Sequence, residues 1–98
     1  MQSQQKNILR WFWAWQDEEE EGWLRDMARQ GWHLKSVGFP GVYSFTSGEP
    51  RDDVYRLDYL KERKDFANYL QLFQDAGWER VGEYNNWQYF RTRTTGGK

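Results

Sequence analysis

The chain has 98 residues, no cysteine and 14 basic against 15 acidic side chains, for a net charge of −1. That length is one domain; the lack of cysteine excludes disulfides, zinc–thiolate sites and cysteine nucleophiles, and the charge balance lacks the basic excess that binding to a phosphate backbone needs, which argues against nucleic acid. No apolar run approaches the ~20 residues that cross a bilayer and MQSQQK has no signal-peptide core, so a cytoplasmic protein without a membrane segment is expected.

The first element is ILRWFWAW (8–15), β-prone throughout and read as a strand. Alternation places Leu9, Trp11, Trp13 and Trp15 on one face and Ile8, Arg10, Phe12 and Ala14 on the other. Both faces are largely apolar, as in a strand covered on two sides. The three Trp are expected to pack under the helices; the alternative is one wall of a binding site. Asp17 then caps a helix whose first turn, EEEE (18–21), suits the helix dipole and reads as solvated. Trp23, Leu24, Met27 and Ala28 form its apolar stripe, and Gly31 fits its end.

Strands at 32–37 and 42–46 follow, joined through Gly38-Phe39-Pro40-Gly41, a strong turn signal. SGEPRDD (47–53) reads as a linker. A strand at 54–60 and a helix at 64–76 come next, the helix burying Phe66, Tyr69, Leu70 and Phe73 and ending at Gly77. Strands at 79–83 and 87–92 are joined around Asn85-Asn86, and 93–98 is a flexible tail.

MARQGWHLKSVGFPGVYSF (27–45) is similar to FQDAGWERVGEYNNWQYF (73–90): Gly31-Trp32 matches Gly77-Trp78, and Val37-Gly38 matches Val81-Gly82. The chain therefore reads as a duplication, unit one 8–46 and unit two 54–92. The expected fold is α+β, a duplicated βαββ-βαββ, ferredoxin-like two-layer sandwich whose two helices cover one face of an antiparallel sheet. Nineteen per cent of the residues are aromatic, and each ring can bury roughly 150–250 Å², enough to stabilise so thin a domain.

Function would sit on the uncovered sheet face. Aligning Arg10 with Arg56 places Arg10, Phe12, Arg56 and Asp58 there. The two readings are a solvated Arg–Asp pair, or a polar anchor beneath a cleft walled by rings. Trp87 and Tyr89, with Tyr43 and Phe45, either pack across hairpins or line that cleft. Rings joined by Asp58 or Glu83 would suit a flat or cationic ligand. His33 reads as a surface residue. No nucleophile elbow, metal cluster or phosphate loop is present, so no catalytic residue, metal or cofactor is implied.

WFWAWQDEEEEGWLRDMARQGWHLKSVGFPGVYSF, with VYRLDY and YLQLFQDAGWERVG, resembles the bacterial family catalogued as domain of unknown function 2812. That family has no assigned activity or catalytic residues. Many members continue into hydrophobic membrane segments and some are encoded beside PadR-type transcription regulators, which implies a regulatory setting. A looser architectural resemblance is to GyrI-like effector-binding domains, which hold drug-like or cationic molecules in an aromatic cleft with acidic residues. The expected function is a non-enzymatic module sensing a small aromatic or cationic molecule. The alternative is a protein-interaction module, for a homodimer or a regulatory protein, on the same face.

Overall fold

The computed structural model describes residues 4–93. The expected tail lies outside the described residues from position 94 onward. In chain order the elements are β1 (Gln5–Leu9), α1 (Asp17–Arg29), β2 (Trp32–Gly38), β3 (Val42–Ser47), β4 (Asp53–Tyr59), α2 (Phe66–Asp75), β5 (Glu79–Tyr84) and β6 (Trp87–Arg93). The strands form two antiparallel sheets of three, ordered β1-β3-β2 and β4-β6-β5. The fold is α+β, with two sheets where one was expected.

The opening strand is shorter and earlier than its composition suggests. β1 pairs with β3 from Gln5 opposite Thr46 to Leu9 opposite Val42. The Arg10 N–H still reaches the Gly41 carbonyl at 3.0 Å. Beyond that point β3 has given way to its hairpin turn, and residues 10–16 have no strand to pair with. They fold instead into a turn in which the Gln16 side chain accepts the Trp13 N–H at 2.8 Å. Gln16, not Asp17, is the N-cap of α1. Trp11, Trp13 and Trp15 are 65%, 53% and 75% exposed rather than packed under the helices.

Helix α1 lies between the sheets. Its Leu24, Met27 and Ala28 form one buried cluster with Leu34, Tyr43 and Phe45 of the first sheet and Tyr55, Leu57 and Tyr89 of the second. Each large apolar side chain buried here contributes roughly 1.5–3 kcal/mol. Helix α2 does not share that face. Its Phe73 stacks on Phe90 at 4.0 Å and 5°, and Phe90 points to the opposite side of β6 from Tyr89. The expectation of both helices on one sheet face is thus corrected: α1 buries its apolar stripe against both sheets, while α2 covers the far side of the second sheet. Phe66, Tyr69, Leu70 and Phe73 are only half-buried there, because α2 has a single layer beneath it.

Side chains fasten the seam between the sheets. The Leu34 N–H donates to the Tyr55 hydroxyl at 3.3 Å, and the Leu34 carbonyl accepts from Arg91 Nη1 at 3.0 Å. Glu21 Oε2 accepts the Leu57 N–H at 2.8 Å, occupying a donor on edge strand β4. The linker is latched as well: Arg25 grips Asp52 with two bonds of 2.6 and 2.8 Å.

Gly31 turns the chain at the end of α1 with φ 93°, and a Cβ there would lie 2.9 Å from the Gly48 carbonyl. His33, expected at the surface, is buried because the linker folds over it. Its Nε2 donates to the Glu49 carbonyl at 2.8 Å, and Nδ1 sits 3.4 Å from Arg51 Nη2. At the other hairpin, Asn85 and Asn86 both take positive φ, 52° and 68°, as a two-residue turn of type I′ requires.

Candidate functional site

The three acids exposed in the first turn of α1 are Asp17, Glu18 and Glu19, at least in part; Glu20 turns inward and is 6% exposed. It lies four residues before Leu24 and eight before Ala28, so it continues the buried stripe of the helix. The reading of a uniformly solvated acidic turn is therefore corrected at this position. Glu20 Oε2 accepts two hydroxyl donors, Tyr43 from the first sheet at 2.6 Å and Tyr89 from the second at 2.7 Å. One carboxylate oxygen thus ties both sheets to the helix between them. Among the described residues no donor is paired with Oε1, the second oxygen.

Burial pushes the Glu20 carboxyl above its ordinary range, and the two tyrosine bonds oppose that shift. Burial and the neighbouring carboxylate raise both tyrosines as well, so their hydroxyls stay protonated and act as donors. A carboxylate held this way is an acceptor with unspent capacity.

A cavity of about 280 Å³ opens over this group. Trp11, Phe12 and Trp13 form one wall, Tyr84, Asn85 and Trp87 the other, and Glu20, Tyr43 and Tyr89 the base, with Arg10 and Asp17 also on the lining. The wall rings are held by their neighbours. Phe12 meets Trp23 at 5.7 Å and Tyr43 at 6.3 Å, while Trp13 stacks on Trp15 at 5.4 Å and 3°. Trp87 packs edge-on to Tyr59 at 5.2 Å. The Arg10 guanidinium lies over Trp23 at 4.6 Å and Phe12 at 5.0 Å.

Of the residues expected to form a site, Arg10, Phe12, Trp87 and Tyr89 line this cavity. The other three do not. Arg56 and Asp58 alternate onto the α2 side of β4, where Asp58 accepts the Tyr69 hydroxyl at 2.7 Å and Arg56 lies over Phe73 at 5.3 Å. Glu83 pairs with Arg63 and, at 2.9 Å, with Arg80; the Arg63 bond is the main cause holding its carboxyl below the ordinary range. The shared face of Arg10, Phe12, Arg56 and Asp58 is corrected accordingly. It presumed one sheet, whereas the matching strands belong to two. A larger depression of about 400 Å³ beside β4, lined by Glu18, Glu21, Arg56 and Asp58, is more open and mostly polar. Its rings are Tyr55 and Trp78, and so open and polar a lining leaves an organic ligand unenclosed.

Sequence reasoning missed Glu20, although its place on the Leu24 and Ala28 stripe was visible. It kept Trp11 and Trp13 as a binding wall only as the alternative, because a strand was assumed to run through them; both line the cavity. Among the described residues no three His, Asp or Glu side chains gather as a metal site.

Residues 16–98 match the family model described as Protein of unknown function (DUF2812). The chain belongs to that family. The DUF2812 match spans α1, both sheets apart from β1, and the buried Glu20. No curated protein and no solved structure matches the chain. No helix of the described residues is long and apolar enough to cross a membrane.

Proposed function

We propose that this DUF2812 chain is a non-enzymatic binding module for a small organic cation with a flat apolar body. The observation that supports this best is Glu20, a buried acid with one oxygen left for a ligand at the base of a ring-walled cavity. Among the described residues Glu20 has hydroxyl donors but no ion pair; a buried carboxylate without a counter-ion is costly, and an ammonium on Oε1 would offset that cost. The rings add dispersion and cation–π attraction, worth about 2 kcal/mol or more where water is excluded. The cavity, about 280 Å³, lies near the lower end of small-molecule sites, roughly 300–1,000 Å³, which suits a single small molecule. Binding would cross-link α1 and the two sheets, giving a sensor its means of changing the domain. The same reading takes the two halves as copies of one ferredoxin-like unit. Phe45 and Phe90, at matching positions, each face the helix of their own half.

Isothermal titration with phenethylamine and with its neutral counterpart 2-phenylethanol tests the proposal. The amine is expected to bind at least ten-fold tighter, and E20Q to erase the difference. At 100 times its dissociation constant the amine adds ~2.7 kcal/mol of stability. Equal binding of amine and alcohol, or no binding of either, refutes the cation site. A second reading, an interaction module, draws on the exposed Trp11, Trp13 and Trp15; it predicts concentration-dependent association by light scattering that W15A weakens.

A further inference from the structure

Two opposite charges line the cavity, and among the described residues neither has a counter-ion within ion-pair distance. Glu20 and Arg10 take part in none of the ion pairs of the described residues, yet both line the same 280 Å³ space. From this juxtaposition we infer that the ligand is a zwitterion, an aromatic α-amino acid whose ammonium meets Glu20 and whose carboxylate meets Arg10. The inference rests on the cavity reading above and adds the second charge to it.

Arg10 is built for that role. Its backbone is tied to Gly41 at 3.0 Å, and the faces of Trp23 and Phe12 hold the guanidinium plane. A guanidinium over ring faces keeps N–H donors for other partners, and on the exposed Arg10 they can take a bidentate carboxylate. Arg10 lines the same cavity as Tyr43, the residue that donates to Glu20, so both charges belong to one site. Asp17, also on the lining, leaves the acids in excess and rejects a ligand with a negative charge alone. The ring walls take the aromatic side chain, and the cavity size favours a free amino acid over a peptide.

Three ligands with one ring separate the possibilities: phenylalanine, phenethylamine and 3-phenylpropionate, titrated calorimetrically into the unaltered chain. Phenylalanine is expected to bind about ten-fold tighter than the amine, the gain from a charge-assisted pair at Arg10, and 3-phenylpropionate to give no detectable heat. R10M keeps an apolar stem over Trp23 and Phe12, and is expected to bring phenylalanine down to the affinity of the amine. If phenethylamine binds as tightly as phenylalanine, the zwitterion is overturned and the cation reading stands. If neither binds, both fall. Should R10M not fold, the three-ligand series on the unaltered chain decides alone.

Discussion

Replacing Tyr89 by Phe removes one hydroxyl and nothing else from the junction of helix and sheets. That hydroxyl is 2.7 Å from Glu20 Oε2 in a buried setting. A hydrogen bond to a charged acceptor contributes about 1.5–3 kcal/mol, more than a neutral one, because its loss leaves part of a buried charge unsolvated. In a 98-residue domain, that loss lowers the melting temperature by about 6 °C or more. Urea unfolding gives the free energy directly, with an unchanged m-value as the sign that the native state is intact. Y43F removes the 2.6 Å partner bond and is expected to cost a similar amount. The double variant should cost less than both together, since a carboxylate with neither donor takes up a proton and sheds its charge. Coupling of this kind is on the order of 0.5–3 kcal/mol. A Y89F variant within about 0.5 kcal/mol of the parent, the range of neutral surface changes, would show that Glu20 does not join the two sheets.

Further outcomes follow from the same geometry. Burial raises Glu20, and Glu21 shifts the same way for the same reason; an acid raised on folding favours the native state most below its ordinary value of 4.5. That contribution is lost as pH rises from there through the raised folded values, so urea unfolding between pH 4.5 and 8 should show a decline that E20Q makes shallower; an unchanged slope would contradict it. Gly31→Ala places a Cβ 2.9 Å from the Gly48 carbonyl at positive φ and should cost more than 1 kcal/mol by the same measurement. W15A, at an exposed ring, should leave unfolding within about 0.5 kcal/mol.

Much of the architecture was legible because local signals and tertiary packing agree. Gly31, Gly77 and Asn85-Asn86 mark ends and turns through backbone conformations few other residues adopt, and the apolar stripe of α1 follows helix periodicity. The misreadings have one physical origin: a strand needs a partner as well as β-prone residues. ILRWFWAW has the composition of a strand to Trp15, but the tight turn that lets β3 pair with β2 also starts β3 at Val42, so β1 has no partner beyond Leu9. The released segment becomes the cavity wall. Alternation correctly separated Tyr55 and Leu57 from Arg56 and Asp58, yet which side α2 would cover depends on how the two sheets meet. Leu34, Tyr55 and Arg91 settle that meeting, and they are far apart in sequence. Glu20 was readable in position and hidden by type, since five consecutive acids suggest solvent and only the stripe suggests otherwise.

The seven Trp supply the most direct measurement, a nuclear magnetic resonance titration of the indole N–H signals with phenethylamine. Signals of Trp11, Trp13 and Trp87 should move together with one dissociation constant, while Trp32 and Trp78, outside the cavity lining, stay in place. Stationary cavity signals, or shifts centred on Trp78 beside α2, would contradict a binding site built over Glu20.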